Sequence, residues 1–252
     1  MERAVYNAAD SFGMNLAPRV TSVAKPPWSN KPHNGKLERL ILQLGSGRGR
    51  FSEVTGIPRS IGCIGNNSFI LRRDPLSAER VKELIREFRE AGGSELWLTN
   101  YDSVVYLLST AAYAVEIGVP EVYAVVLLDD LDEVKPVDGV RFIAELEYSP
   151  ENIRRLEAHS WLHGAIVMVK GSDLDELRNL ETTFPGEIYV DVLYPGSARK
   201  LDFNVIEVKR VLNQSVERYH VCLGGTLAIT ADGYALPCPL LRNYIVADVK
   251  EV

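Results

Sequence analysis

The chain has 252 residues, 46% hydrophobic and 25% charged, enough to bury one sizeable core with a small unit appended. Its formal net charge of −6 argues against a general nucleic-acid binder, because that affinity depends on Lys and Arg neutralising phosphates. With only 3 cysteines, the chain carries no disulfide framework.

No run approaches the roughly 18 apolar residues of a membrane span. The start MERAVYNAAD lacks a charged-then-apolar leader pattern, so a cytoplasmic protein without a membrane partner is expected. The only glutamines are Gln43 and Gln214, a scarcity of heat-labile amides in keeping with a thermophilic source.

In chain order, residues 1–36 show no sustained period and include KPPWSNKPHNGK, which reads as an extended arm or linker rather than core. From Leu37 onward, short apolar runs alternate with helical patterns, the mark of βα units and a parallel sheet. The strand RLILQL at 39–44 precedes a helix capped by Ser77, with Val81, Leu84, Ile85 and Phe88 on one side and a stop at Gly92 and Gly93. After the strand ELWLT at 95–99, Asp102 or Ser103 caps a second helix lined by Val104, Leu107, Leu108, Ala111 and Val115 and closed by Gly118.

The strand at 121–128 leads to the acidic stretch 129–139, a short helix or solvated loop. A strand at 140–148 precedes Ser149, Pro150 and Glu151, which together start a helix. Two further pairs follow, a strand at 164–170 with a helix at 172–183, and a strand at 187–194 with a helix at 204–213. The tail changes character: apolar segments flank Ala231, Asp232 and Gly233, a hairpin signal. The expected fold is α/β, an incomplete TIM-like (βα)6 parallel barrel with a small C-terminal β-hairpin appendage. Its divisions are an arm at 1–36, a barrel at 37–214 and a β unit at 215–252.

Several features carry this layout towards a known family. The stretch PRSIGCIGNNSF places Arg59, Cys63 and Asn66 after the first barrel strand. Asn100, Tyr101, Asp102 and Ser103 follow the second, and YPGSARKLDF at 194–203 follows the sixth. The tail from Cys222 sets a cysteine, a Gly turn and the Pro–Cys pair at 237–238 in order. In this arrangement the chain resembles radical S-adenosylmethionine (radical SAM) enzymes with a truncated SPASM-like extension. The resemblance implies a CxxxCxxC loop where Arg59, Cys63 and Asn66 stand, and a GGEP-like turn at Asn100–Ser103.

Three thiolates hold three irons of a [4Fe–4S] cluster and leave the fourth open to SAM. A guanidinium and an amide cannot replace two of them. Tyr101 is expected to crowd the approach of a methionine group. The reading is therefore a homologue without the catalytic cluster, binding no cofactor and serving a protein or peptide partner in peptide or cofactor maturation. The alternative is an iron–sulfur and SAM maturase with an unusual cluster held by Cys63, Cys222 and Cys238. The plainer view of Cys222 and Cys238 is packed free thiols.

The ligand pocket is expected among Ser46, Arg48, Arg50, Asn66, Asn100 and Asp102, where strand C-termini gather ligands. The glycine-rich loop GSGRGRFS at 45–52 could hold a small anion through Arg48 and Arg50, although a flexible connection is the plainer reading. In a non-redox barrel enzyme acting on an anionic substrate held by Arg48 and Arg50, Asp102 or Asp191 would serve as general base. Asp191 lies inside an apolar strand and is the better candidate for an inward acid, while Glu145 and Glu147 read as exposed alternate positions on a rim. His159 and His163 are four residues apart, but Gly164 ends any helix there, so a metal pair is not expected.

Overall fold

A computed structural model describes residues 20–23, 26–28, 35–50, 63–170, 173, 176, 181–193 and 223–250. The helix expected at 204–213, most of that at 172–183, the segment 194–203, Arg59 and Cys222 lie outside them. The described chain is α/β, built on a ten-stranded sheet in the order β1-β7-β6-β5-β4-β3-β2-β8-β9-β10.

The strands β2 (Arg39–Gln43), β3 (Glu95–Thr99), β4 (Glu121–Leu127), β5 (Val140–Glu147), β6 (Gly164–Lys170) and β7 (Glu187–Leu193) lie side by side in chain order, all parallel. Helices α1 (Ala78–Glu90), α2 (Val104–Glu116) and α3 (Pro150–Glu157) and a 3-10 helix (Leu128–Glu133) fill the crossovers up to β6. Each α-helix starts where a serine side chain accepts an otherwise unpaired N–H: Ser77 from Arg80, Ser103 from Tyr106 and Ser149 from Asn152.

Both faces of the central strands are covered, which is why they read as continuous apolar runs rather than alternating ones. One face packs Leu40, Leu42, Leu96, Leu98, Val122 and Val126 against the helices. On α1, Val81, Leu84, Ile85 and Phe88 are buried as expected. On α2, Thr110 and Ala114 are buried in place of Leu108 and Val115, which are only partly covered. The Thr110 hydroxyl donates to the Tyr106 carbonyl at 2.8 Å, so its burial leaves no polar group unmet. The opposite face packs Ile41, Trp97, Tyr123, Ile143, Ile166 and Tyr189 beneath Trp28, Cys63 and Ile64.

Two expectations are corrected. Within the segment read as an arm, β1 (Val20–Val23) pairs parallel to β7, and Trp28 is 2% exposed with its ring 5.5 Å from that of Trp97. Four strand residues are too few to display a period, and an indole's large apolar area finds cover wherever the chain allows. The C-terminal hairpin is present, with β8 (Thr226–Ile229) and β9 (Tyr234–Leu236) joined through Gly233 at φ +88°. It is not set apart as an appendage, because β8 pairs parallel to β2 from Arg39↔Thr226 to Leu42↔Ile229 and sends Ile229 into the helix-side core. The short β10 (Ala247–Asp248) pairs with β9 at the sheet's end, and the described strands do not close into a ring.

Candidate functional site

The C-terminal ends of β2, β3, β4 and β5 carry the loops expected to form a pocket, and those loops are tied to one another. The Asp102 carboxylate accepts from Ser46 N at 3.0 Å, Ser46 Oγ at 2.9 Å and Gly47 N at 2.9 Å, anchoring the turn after β2. A Cβ at position 45 would overlap that carboxylate. Gly47 has φ +86°, and a Cβ there would run into the Asn67 carbonyl oxygen. These glycines permit close approach between loops, which accounts for the richness of the stretch without a phosphate.

Gly47→Ala should therefore cost about 1–3 kcal/mol for the left-handed backbone and more for the overlap. Gly35, at φ +81° with nothing within 4 Å of an added Cβ, bears only the first cost. Urea unfolding of Gly47→Ala and Gly35→Ala compares the two, and equal losses would mean that the loops do not meet closely.

Asn66 is fully buried and bonded at both ends of its amide. Nδ2 donates to the Val125 carbonyl at 3.0 Å, and Oδ1 accepts from the Asn100 backbone N–H at 2.9 Å. Asn100 adopts φ +54°, a left-handed conformation that asparagine tolerates, and its side chain donates to the Asn67 carbonyl while accepting from Thr99 Oγ1 at 3.1 Å. The Asn66 backbone N–H donates to Glu145 Oε2.

Glu145 is thus 2% exposed, contrary to its expectation as a rim residue. Its strand is central in the sheet and the 63–69 loop covers its end, so no face is left to water. Glu147, two residues on, is partly exposed and faces Arg50 at 3.2 Å and Lys170 at 3.4 Å. Arg48 pairs with Asp130 at 3.2 Å, so each arginine proposed for an anion already faces a carboxylate. Tyr101 does not crowd the mouth: it is wholly buried in the helix-side core, donating to Asp130 and accepting from Leu127 N at 3.0 Å.

Asp191 is wholly buried on β7, opposite Met168 of β6. Cys63 is buried in the apolar cluster of the opposite face, and Cys238 packs against the same cluster. Cys238 is a free thiol. Among the described residues no group of three His, Cys, Asp or Glu side chains is placed to hold a metal ion. The described residues also fit a [4Fe–4S] cluster poorly, since Asn66, in a ligand position of the expected motif, already spends both ends of its amide on the protein. α3 ends at Glu157, before His159, as Gly164 led one to expect.

The buried hydroxyls and thiol make the fold sensitive to alkali. Burial pushes the Tyr101 hydroxyl far above the tyrosine range, and hydrogen bonding to Asp130 adds to this. Tyr189 moves the same way through burial and Glu187, burial pushes Tyr123 up to about 12, and the Cys238 thiol is raised by burial. The unfolded chain ionises such groups from about pH 8.5 to 10 while the folded chain resists, so their contribution is intact below that window and is lost from there upward as pH approaches the raised folded values, about 12 for Tyr123. Unfolding free energy measured from pH 7 to 11 should fall steeply above about pH 10. A flat profile would mean that these hydroxyls are solvated.

Residue patterning read Glu145 as exposed and did not single out Asn67 or Asp130 as site residues. The usable signal was the alternation of Ile143, Glu145 and Glu147 in β5, once that strand is known to be central. Compared with models of known protein families the chain gives no match, and compared with curated proteins it gives none.

Proposed function

We propose that the open sheet is a partial TIM-like barrel of radical SAM type that no longer builds a catalytic iron–sulfur cluster. In this reading the protein acts as a binding or scaffolding partner in peptide or cofactor maturation. The observation that carries it is the Asn66 amide, tied to Val125 and Asn100 where the family layout would place a thiolate ligand. One thiolate from Cys63 cannot cage four irons, and a side chain spent on both sides by the protein adds no ligand.

Anaerobic purification followed by iron and sulfide analysis tests the reading, together with SAM titration by calorimetry. Iron well below stoichiometric amounts and no heat of SAM binding are expected. A full complement of four irons, or 5′-deoxyadenosine released under a strong reductant, would overturn it.

A second reading, a non-redox enzyme, draws on Asp191, a carboxylate wholly enclosed on β7, between β1 and β6. Such an acid suits a general base when a substrate proton lies within hydrogen-bond reach. Of the two acids considered for that role, Asp102 is the less suited, since both its oxygens serve the 46–47 turn.

A further inference from the structure

Among the described residues, the large apolar side chains left exposed are not scattered over the surface. Leu240, Leu241, Tyr244, Ile245 and Val246 all belong to the segment that leads from β9 to β10, where Tyr244 is 67% and Val246 60% exposed. Ile70, at 70%, is brought beside them: Arg242 lays its guanidinium 4.0 Å from the centre of the Phe69 ring, and its carbonyl lies 3.5 Å from Arg72 Nη2. Together these six side chains leave on the order of 500 Å2 of apolar surface to water, at the upper end of what a typical monomer exposes in one place.

The same segment is a bare sheet edge. β10 is the last strand of the sheet, and Tyr244, Ile245 and Val246 run into it outside any helix or turn. The Val246 N–H donates to the Ala235 carbonyl of β9 at 2.9 Å, whereas the backbone N–H and C=O of Ile245 bond to no described residue. Proteins ordinarily blunt such an edge with a charge, a proline or a bulge. At the other end of the sheet, β1 carries a register shift between Val20 and Ser22 of that blunting kind. From Asn243 to Ala247 there is neither charge nor proline, and Tyr, Ile and Val are among the residues best suited to strands.

We infer that this edge is a self-association surface, on which the 243–248 segments of two copies of the chain pair antiparallel about a two-fold axis. A two-fold axis across the strands sets identical segments antiparallel, the sense in which β8 meets β9 and β9 meets β10, so the sheet continues through the contact. The stretch from Asn243 to Ala247 has no charge that would select an acidic or basic partner, and its apolar side chains are matched by their own copies. The exposed apolar area approaches the roughly 800 Å2 that each partner gives to a standard interface. The inference is independent of the cluster and of any substrate.

Sedimentation velocity of the full chain between about 1 and 200 μM should show monomer giving way to dimer, with Kd on the order of 10 μM for so small an apolar contact. Hydrogen exchange at the Ile245 amide should slow at least about fivefold over the same range, as an unused edge N–H becomes bonded. Ile245→Lys sets two ammonium groups against each other and should weaken the dimer at least about tenfold. Val105→Lys, which replaces an exposed apolar side chain on α2, should leave the dimer unchanged. Ile70→Lys tests the same patch from its other segment if the Ile245 variant folds poorly.

A chain that stays monomeric at about 200 μM, well above the expected Kd, overturns the inference. So does a dimer in which the Ile245 amide still exchanges freely, because its contact lies elsewhere. An amide already slow at about 1 μM overturns it as well, since the chain's own residues would then cover the edge. Protection gained by the monomer only on phosphatidylcholine vesicles overturns it in favour of a lipid surface. Equal loss of the dimer in Val105→Lys and Ile245→Lys overturns it too, by showing that no particular edge is used.

Discussion

Arg39→Met should lower the unfolding free energy by about 3–5 kcal/mol, one of the two largest single-residue effects in this fold. Arg39 is 4% exposed and holds Glu95 through a fork, Nε to Oε1 and Nη2 to Oε2, each at 2.9 Å. Its Nη1 reaches Thr226 Oγ1 at 3.1 Å, and its guanidinium lies 4.5 Å from the centre of the Trp28 ring. Glu95 also accepts from Trp97 Nε1 at 2.7 Å, and Trp97 stacks on Tyr123 at 4.1 Å.

Removing the cation takes the two-bond fork away from an enclosed carboxylate, which is the costly half of such a pair. The double variant Arg39→Met with Glu95→Met should recover most of the loss, because it removes both desolvation penalties. Urea unfolding of the parent, both single variants and the double variant forms the cycle. A single-variant loss below about 1 kcal/mol would mark the pair as solvated.

Asn66→Ala should cost about 2–4 kcal/mol by stranding a buried N–H at Asn100 and removing the bond to the Val125 carbonyl. Asn66→Asp should cost more still, although it keeps the shape. The new carboxylate would replace Nδ2, which lies 3.5 Å from Glu145 Oε2, setting two acids against each other and an acceptor against a carbonyl. The order parent, alanine, aspartate in decreasing stability at pH 7 is the decisive reading. A narrowing of the alanine–aspartate gap towards pH 4 should accompany it as the introduced aspartate takes up a proton. If aspartate is tolerated better than alanine, Asn66 is not the tie between the loops.

How much of this was legible depends on the range of the interactions. Helix starts were readable because a serine and the N–H it caps lie three residues apart, as at Ser77, Ser103 and Ser149. Strands β2 to β7 were readable as apolar runs between turn signals. What escaped were contacts between distant residues. Glu145 reads as a rim acid until Asn66 covers it, and Trp28 reads as part of an arm until Arg39 and Trp97 surround it. At the site, the structure brings Ser46 to Asp102 and Asn66 to Asn100, and these bonds between distant residues have no signature along the chain.

The pairing of β8 with β2 also has a temporal meaning. Arg39 and Thr226, which touch through Arg39 Nη1, are 187 positions apart in the chain. At ribosomal speeds of about 5–20 residues per second, β2 waits roughly 10–40 s after its own synthesis before β8 exists. Through that interval the nascent polypeptide carries a bare, largely apolar strand border of the kind that recruits stray partners, and translation must reach β8 before that border is sealed.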